Sequence, residues 1–262
     1  MKADTILQLD AVSKRFGGLM VVDDLSFSVP RGAVTGLIGP NGAGKTTVFN
    51  LITGLYPIDA GRIVLDGNDI AAVPARHRIR HGVARNFQNI RLMPHLTALE
   101  NVLLGQQCRN GGFLGILQPL SLLPGNRWRD EARAALADAG LGGYERATAA
   151  NLPYGIQKRI ELVRALMALP RLLLLDEPAA GLNPAETDLL QDQLEAIRAT
   201  RDVTIVIVEH DMNFIGALCA HVVVLNFGRK IAEGTPDQIR EDGLVREAYL
   251  GIEEPAEARH AS

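Results

Sequence analysis

A chain of 262 residues, 47% of them hydrophobic and 22% charged, has enough apolar material to bury a substantial core as one large domain or two closely joined ones. Its 27 basic and 30 acidic residues leave a net charge of -3, which excludes the electropositive footprint that nucleic-acid phosphates require, so no nucleic-acid partner is expected. No uncharged apolar stretch reaches the ~18 to 20 residues needed to cross a bilayer, and the opening Met1 to Thr5 lacks the apolar core of a secretory signal, so the expected compartment is the cytosol.

In chain order, alternation over Ile6 to Asp10 and Leu25 to Val29 predicts half-buried strands, with a turn at Pro30-Arg31-Gly32. The apolar run Val34 to Ile38 follows, then Gly39-Pro40-Asn41-Gly42-Ala43-Gly44-Lys45-Thr46, then the helix-forming run Thr47 to Ile52. Strand, glycine loop and helix in this order make a phosphate loop. Its glycines let successive backbone N–H groups turn inward onto a phosphate, and the helix adds its positive end. Lys45 is placed to reach the β- and γ-phosphates, and the Thr46 hydroxyl to ligate Mg²⁺. Arg62 to Asp66 alternates again and meets a turn at Asp66-Gly67, so an antiparallel sheet is expected to flank the loop. The basic cluster from Arg76 to His81 reads as a solvated face.

A short strand over Gly82 to Phe87 leads to Gln88. From about Leu96 to Arg171 the sequence turns helical, predicting a helical subdomain inserted into an α/β core. Within it, Asn110 to Asn126 carries no charge and is broken by glycine and proline, so it either packs on its own subdomain or meets a partner. Cys108 and Cys219 show no metal-ligand spacing and read as free thiols.

Leu172 to Asp176 and Val203 to Val208 are continuous apolar runs, the pattern of parallel strands covered on both faces. The first delivers Asp176 and Glu177 to its end: Asp176 to hold Mg²⁺ through water, Glu177 to orient or deprotonate a water attacking the γ-phosphate. Adjacent carboxylates at the end of a buried strand require a cation or partner to offset their repulsion. Between these strands, Asn183, Pro184 and Glu186 write the start of a helix whose buried stripe is Leu190, Leu194 and Ile197. The second strand delivers His210 to the end where ligands of α/β sheets bind, although taken alone such a residue is more often a satisfied structural histidine. From Glu253 onward the composition is that of a frayed tail, leaving residues 1 to 252 as the folded unit.

The order of these motifs resembles the ATP-binding cassette ATPases of ABC transporters over essentially the whole chain. That resemblance implies an α/β P-loop NTPase core with a parallel sheet, an N-terminal antiparallel β subdomain and an inserted α-helical subdomain. It gives ATP and Mg²⁺ as cofactors, with the phosphate loop running from Gly39 through Thr46 and Thr47. It makes Gln88 a sensor of Mg²⁺ and water coupled to the membrane partner, Glu177 the catalytic carboxylate and His210 a γ-phosphate contact. The stretch Leu152 to Ile156, with Tyr154 and Gly155, becomes the signature presented to the ATP of a second subunit in a head-to-tail dimer. Phe16 becomes an adenine platform, with a core aromatic beside a turn as the lesser alternative. Two positions depart from the pattern: Pro153 and Ile156 stand where serine or alanine, and glutamine, are usual, and proline offers a phosphate neither hydroxyl nor N–H. Retained but slowed hydrolysis is expected.

Phe16 to Leu19, Asn151 to Gly155, Asp176 to Pro184 and the ending Gly228 to Pro236 with Ala248 to Gly251 look like the ATPases of branched-chain amino-acid importers. That branch implies integral-membrane permease subunits, a second ATPase subunit and, indirectly, a substrate-binding protein as partners. It places the chain peripherally on the cytoplasmic side of the inner membrane. A cassette for another cargo, such as urea or a lipid-like molecule, and a soluble cassette acting on nucleic acid or the ribosome are the alternatives.

Overall fold

The structure, a computed structural model, describes residues 4–86, 89–109 and 126–250. Gln88, most of the uncharged segment (110–125) and the tail (251–262) lie outside the described residues. Strands β1 (Thr5–Phe16) and β2 (Leu19–Pro30) form a long antiparallel hairpin, followed by β3 (Val34–Ile38) and helix α1 (Lys45–Ile52). Then come β4 (Ala60–Leu65), β5 (Asn68–Asp69), α2 (Ala75–Arg78) and β6 (Val83–Asn86). Helices α3 (Ala98–Leu104), α4 (Arg127–Asp138) and α5 (Tyr154–Leu166) precede β7 (Leu172–Asp176). The chain continues through α6 (Pro184–Thr200), β8 (Thr204–Val208), α7 (Met212–Leu218), β9 (His221–Asn226) and β10 (Arg229–Gly234). The described residues close with α8 (Pro236–Glu241) and α9 (Gly243–Leu250).

A four-stranded antiparallel sheet runs in the order β2-β1-β4-β5, and a six-stranded sheet in the order β10-β9-β3-β8-β7-β6. Every pairing from β9 to β6 is parallel; only β10 joins antiparallel, at the edge. Because side chains alternate along a strand, Leu172, Leu174, Val206 and Val208 point to the antiparallel sheet and α1, while Leu173, Leu175, Ile205 and Ile207 point to α5, α6 and α7. Both faces are dry, which is why these strands are apolar throughout, and each such side chain contributes about 1.5–3 kcal/mol by burial. A third core lies among α3, α4 and α5, around Leu99, Val102, Leu136, Ile160 and Val163.

Helix α6 starts as its sequence predicts. The Asn183 side chain accepts from Glu186 N and Glu186 Oε2 accepts from Asn183 N, both at 3.0 Å, with Pro184 in the first turn and Leu190, Leu194 and Ile197 buried. The basic cluster needs correction. Arg76 and Arg80 are exposed, but Arg78 is buried, donating to the carbonyls of Leu51 and Ile52 at the end of α1 and to Val73 and Ala71. A guanidinium there satisfies orphan helix carbonyls and offsets the negative end of α1, so this residue is an internal cap. The hairpin β9–β10 was not anticipated: Val222 to Leu225 is a fully buried strand beside β3.

Candidate nucleotide-binding site

All the parallel strands present their C-terminal ends along one edge of the sheet, and the chemistry collects there. Beyond β3 the chain turns at Gly39, whose φ is 147°, and enters α1 through Gly44, whose φ is 100°. A side chain at Gly39 would sit 2.1 Å from the carbonyl oxygen of Leu225, and one at Gly44 would sit 2.9 Å from that of Val21. Only glycine fits either position. The turn of β9–β10 braces the loop from outside, with Gly228 N donating to Ala43 O at 3.0 Å. Pro40 and Ala43 are buried, whereas Asn41, Gly42 and Thr46 are exposed and Thr47 is half-buried.

Lys45 folds back over this loop and donates from Nζ to the carbonyls of Gly39 (2.6 Å) and Pro40 (2.9 Å). Burial pushes its ammonium below the usual lysine range, against the opposing pull of Glu177 and Asp176. Lys45, Asp176 and Glu177 therefore share one electrostatic site although Lys45 comes from a different strand end.

Asp176 is buried and accepts from Arg85 Nη2 through Oδ2 at 2.5 Å. Glu177 has a left-handed backbone with φ 48° and its N–H donates to Val208 O at 2.8 Å. Its carbonyl and that of Pro178 each accept from Lys158 Nζ at 3.1 Å, so an ammonium from α5 ties down the turn that carries the carboxylate. Glu209, 1% exposed, accepts from Ala179 N (2.9 Å) and His210 N (3.1 Å), and burial raises its carboxyl pKa. The His210 ring stands in solvent, with Nδ1 3.8 Å from Glu209 Oε2.

Phe16 is 40% exposed and meets Tyr56 edge-on, ring centroids 5.0 Å apart, with Lys14 Nζ 5.5 Å from its centroid. Tyr154 and Gly155 pack against the start of α6. A side chain at Gly155 would sit 2.5 Å from Glu186 Oε1, and one at Gly181 would sit 3.2 Å from the Tyr154 ring. Pro153 caps α5 with its carbonyl alone, accepting from Gln157 N at 3.0 Å. Four residues escaped the sequence reading: Tyr56, Arg85, Lys158 and Glu209. Arg85 had a visible signal, since a cation inside an apolar β-strand pattern demands a buried anion.

Among the described residues no group of three or more His, Cys, Asp or Glu side chains is assembled for a metal. The Thr46 hydroxyl and Asp176 carboxylate are hard oxygen donors of the kind Mg²⁺ takes when phosphate and water supply the rest. The glycine turn that opens α1, with its left-handed Gly42 and Gly44, fits a phosphate in the same way. Among the described residues no helix is long and apolar enough to cross a membrane.

Comparison with known proteins gives the family. The ABC transporter family matches residues 22–180, and the chain belongs to it as an ATP-binding cassette, the ATPase subunit of such transporters. A shorter family, described as the branched-chain amino acid ATP-binding cassette transporter, matches residues 229–255. The high-affinity branched-chain amino acid transport ATP-binding protein BraF of Pseudomonas aeruginosa is 43% identical over 94% of this chain and 98% of its own. LivG of Escherichia coli, of the same description, is 40% identical over the same shares. The lipopolysaccharide export system ATP-binding protein LptB of Escherichia coli is 32% identical over 92% of this chain and 95% of its own. Among solved structures, the ADP conformation of MJ1267, an ATP-binding cassette of an ABC transporter, superposes with a TM-score of 0.84 at 30% identity, covering 94% of this chain and 99% of that one.

Proposed function

We propose that this chain hydrolyses Mg-ATP to drive uptake of branched-chain or closely related amino acids, docked on the cytoplasmic face of integral-membrane permease subunits and paired head to tail with a second cassette. The observation that carries the cargo assignment is 43% identity to BraF along nearly the full length, against 32% to LptB. The match at 229–255 to the branched-chain cassette family supports the same branch.

In this reading Gly39 to Thr47 cradle the phosphates, Lys45 neutralises their charge, and Phe16 with Tyr56 receives the adenine. Thr46 and Asp176 would hold Mg²⁺, which would supply charge neutralisation for the phosphates. Glu177 orients and deprotonates the attacking water, His210 contacts the γ-phosphate, and Gln88 reports the occupied site to the permease. Tyr154 and Gly155 serve the nucleotide of the opposite subunit. A groove of about 630 Å³, with Leu55, Ile79, Met93 and Leu104 among its walls and Arg164 beside it, offers a permease segment an apolar seat. Isolation from membranes should bring down permease subunits, and ATP turnover of the reconstituted assembly should rise with a binding protein loaded with leucine, isoleucine or valine. Turnover that responds only to a different cargo, or to none, would overturn the assignment.

A further inference from the structure

Strands β6 and β7 are parallel with Arg85 opposite Leu174, so Asp176, two residues on, shares the face on which Arg85 lies. The guanidinium is gripped from two elements. Nη2 donates to Asp176 Oδ2 at 2.5 Å, Nη1 donates to Asn50 Oδ1 of α1 at 2.6 Å, and the group lies 5.5 Å from the centroid of the Phe49 ring. The two charged side chains are only 5% and 7% exposed. Lys45 has its ammonium on the loop carbonyls instead, and Lys158 has its own on the carbonyls of Glu177 and Pro178. The cation on the Asp176 carboxylate itself is therefore Arg85.

We infer that Arg85 is the resident counter-ion of the metal site. It holds the Asp176 carboxylate aligned while no metal is present, and it must yield that carboxylate when Mg²⁺ binds with the nucleotide. An arginine suits this task because it cannot shed its proton when the pair opens, and because Asn50 holds its other nitrogen so that it never stands alone. The pair thus sets how much Mg²⁺ is needed, since the metal binds only the fraction of molecules in which the carboxylate is released. Asn50 lies on the helix that carries Lys45, so the exchange is felt directly by the phosphate loop. This inference rests on the Mg-ATP reading above.

The test uses the full chain, with thermal unfolding read at increasing Mg²⁺ in the presence and absence of ADP. Arg85→Met should lower the melting temperature of the empty protein by about 5–15 °C, because it strands a buried carboxylate. The same change in an Asp176→Asn background should lower it by less than about half as much, since the stranded charge is already gone. The Mg²⁺ concentration for half of the nucleotide-induced shift should fall by about tenfold in Arg85→Met. Arg85→Lys, which keeps charge but shortens the reach, should fall between and serves if the methionine variant does not fold. A Mg²⁺ midpoint unchanged or raised in either variant overturns the inference. A wild-type protein with no Mg²⁺-dependent nucleotide shift overturns the Mg-ATP reading itself, a separate and recognisable result.

Discussion

Replacing Lys158 with methionine separates what holds the fold from what holds the chemistry. The ammonium donates to the carbonyls of Glu177 and Pro178 at 3.1 Å each, and its burial lowers its pKa in spite of Glu209, Glu161 and Glu177 nearby. Two hydrogen bonds from a charged donor contribute roughly 3–6 kcal/mol net, so their loss should lower the melting temperature by about 6–24 °C. Catalysis reports a separate loss. Glu177 sits at φ 48°, a backbone state that a non-glycine residue keeps only while its surroundings impose it. With Lys158 gone the turn relaxes, and a displacement of about 1 Å in the carboxylate costs up to about 100-fold in rate. Steady-state ATP turnover should show kcat down about 10- to 100-fold with KM changed by less than about threefold. A kcat within about twofold of wild type, beside the expected drop in melting temperature, would refute the claim that α5 positions the carboxylate.

Glu177→Gln should cut ATP turnover by about 100-fold, roughly 3 kcal/mol of barrier, while equilibrium binding of ATP persists. Gly39→Ala places a methyl carbon 2.1 Å from Leu225 O, so both the melting temperature and the stabilisation by ADP should fall; calorimetry finding wild-type ADP affinity would contradict the close approach. Glu209 has its folded pKa raised above the ordinary 4.5 by burial, so its stabilising share is fully present below that pH and is lost as pH rises through the folded value. Wild type should therefore lose stability relative to Glu209→Gln as pH is raised from below 4.5 toward neutrality, and urea titrations giving parallel pH profiles for the two would exclude it.

Local chemistry was legible where a residue's own neighbours in sequence carry the reason. The glycine loop from Gly39 to Thr46, the Asn183 and Glu186 cap, and the apolar strand ending in Asp176 and Glu177 all state their geometry within a few positions. Where the reason is a distant partner, the sequence is silent or misleading. Arg78 looks like one of several surface cations and is in fact buried against the end of α1. Lys158 and Glu209 are ordinary charged residues until the turn at Glu177 to Ala179 is folded between them. Tyr56 becomes an aromatic companion of Phe16 only because the β1–β2 turn and the residues after α1 meet in space. The hairpin β9–β10 hid for a different reason: Val222 to Leu225 carries no polar side chain, and what the hairpin gives the phosphate loop is backbone contact.

That backbone contribution bears on how the protein is made. Strand β3 leaves the ribosome early, but its two sheet neighbours, β8 and β9, and the Leu225 and Gly228 atoms that line and brace Gly39 to Ala43 belong to the last quarter of the chain. A growing chain carries Val34 to Ile38 as an unpartnered apolar strand through most of its synthesis. Nascent chains arrested before Leu225 should have no capacity to retain nucleotide, and their need for chaperone protection should end as β9 emerges and closes beside β3.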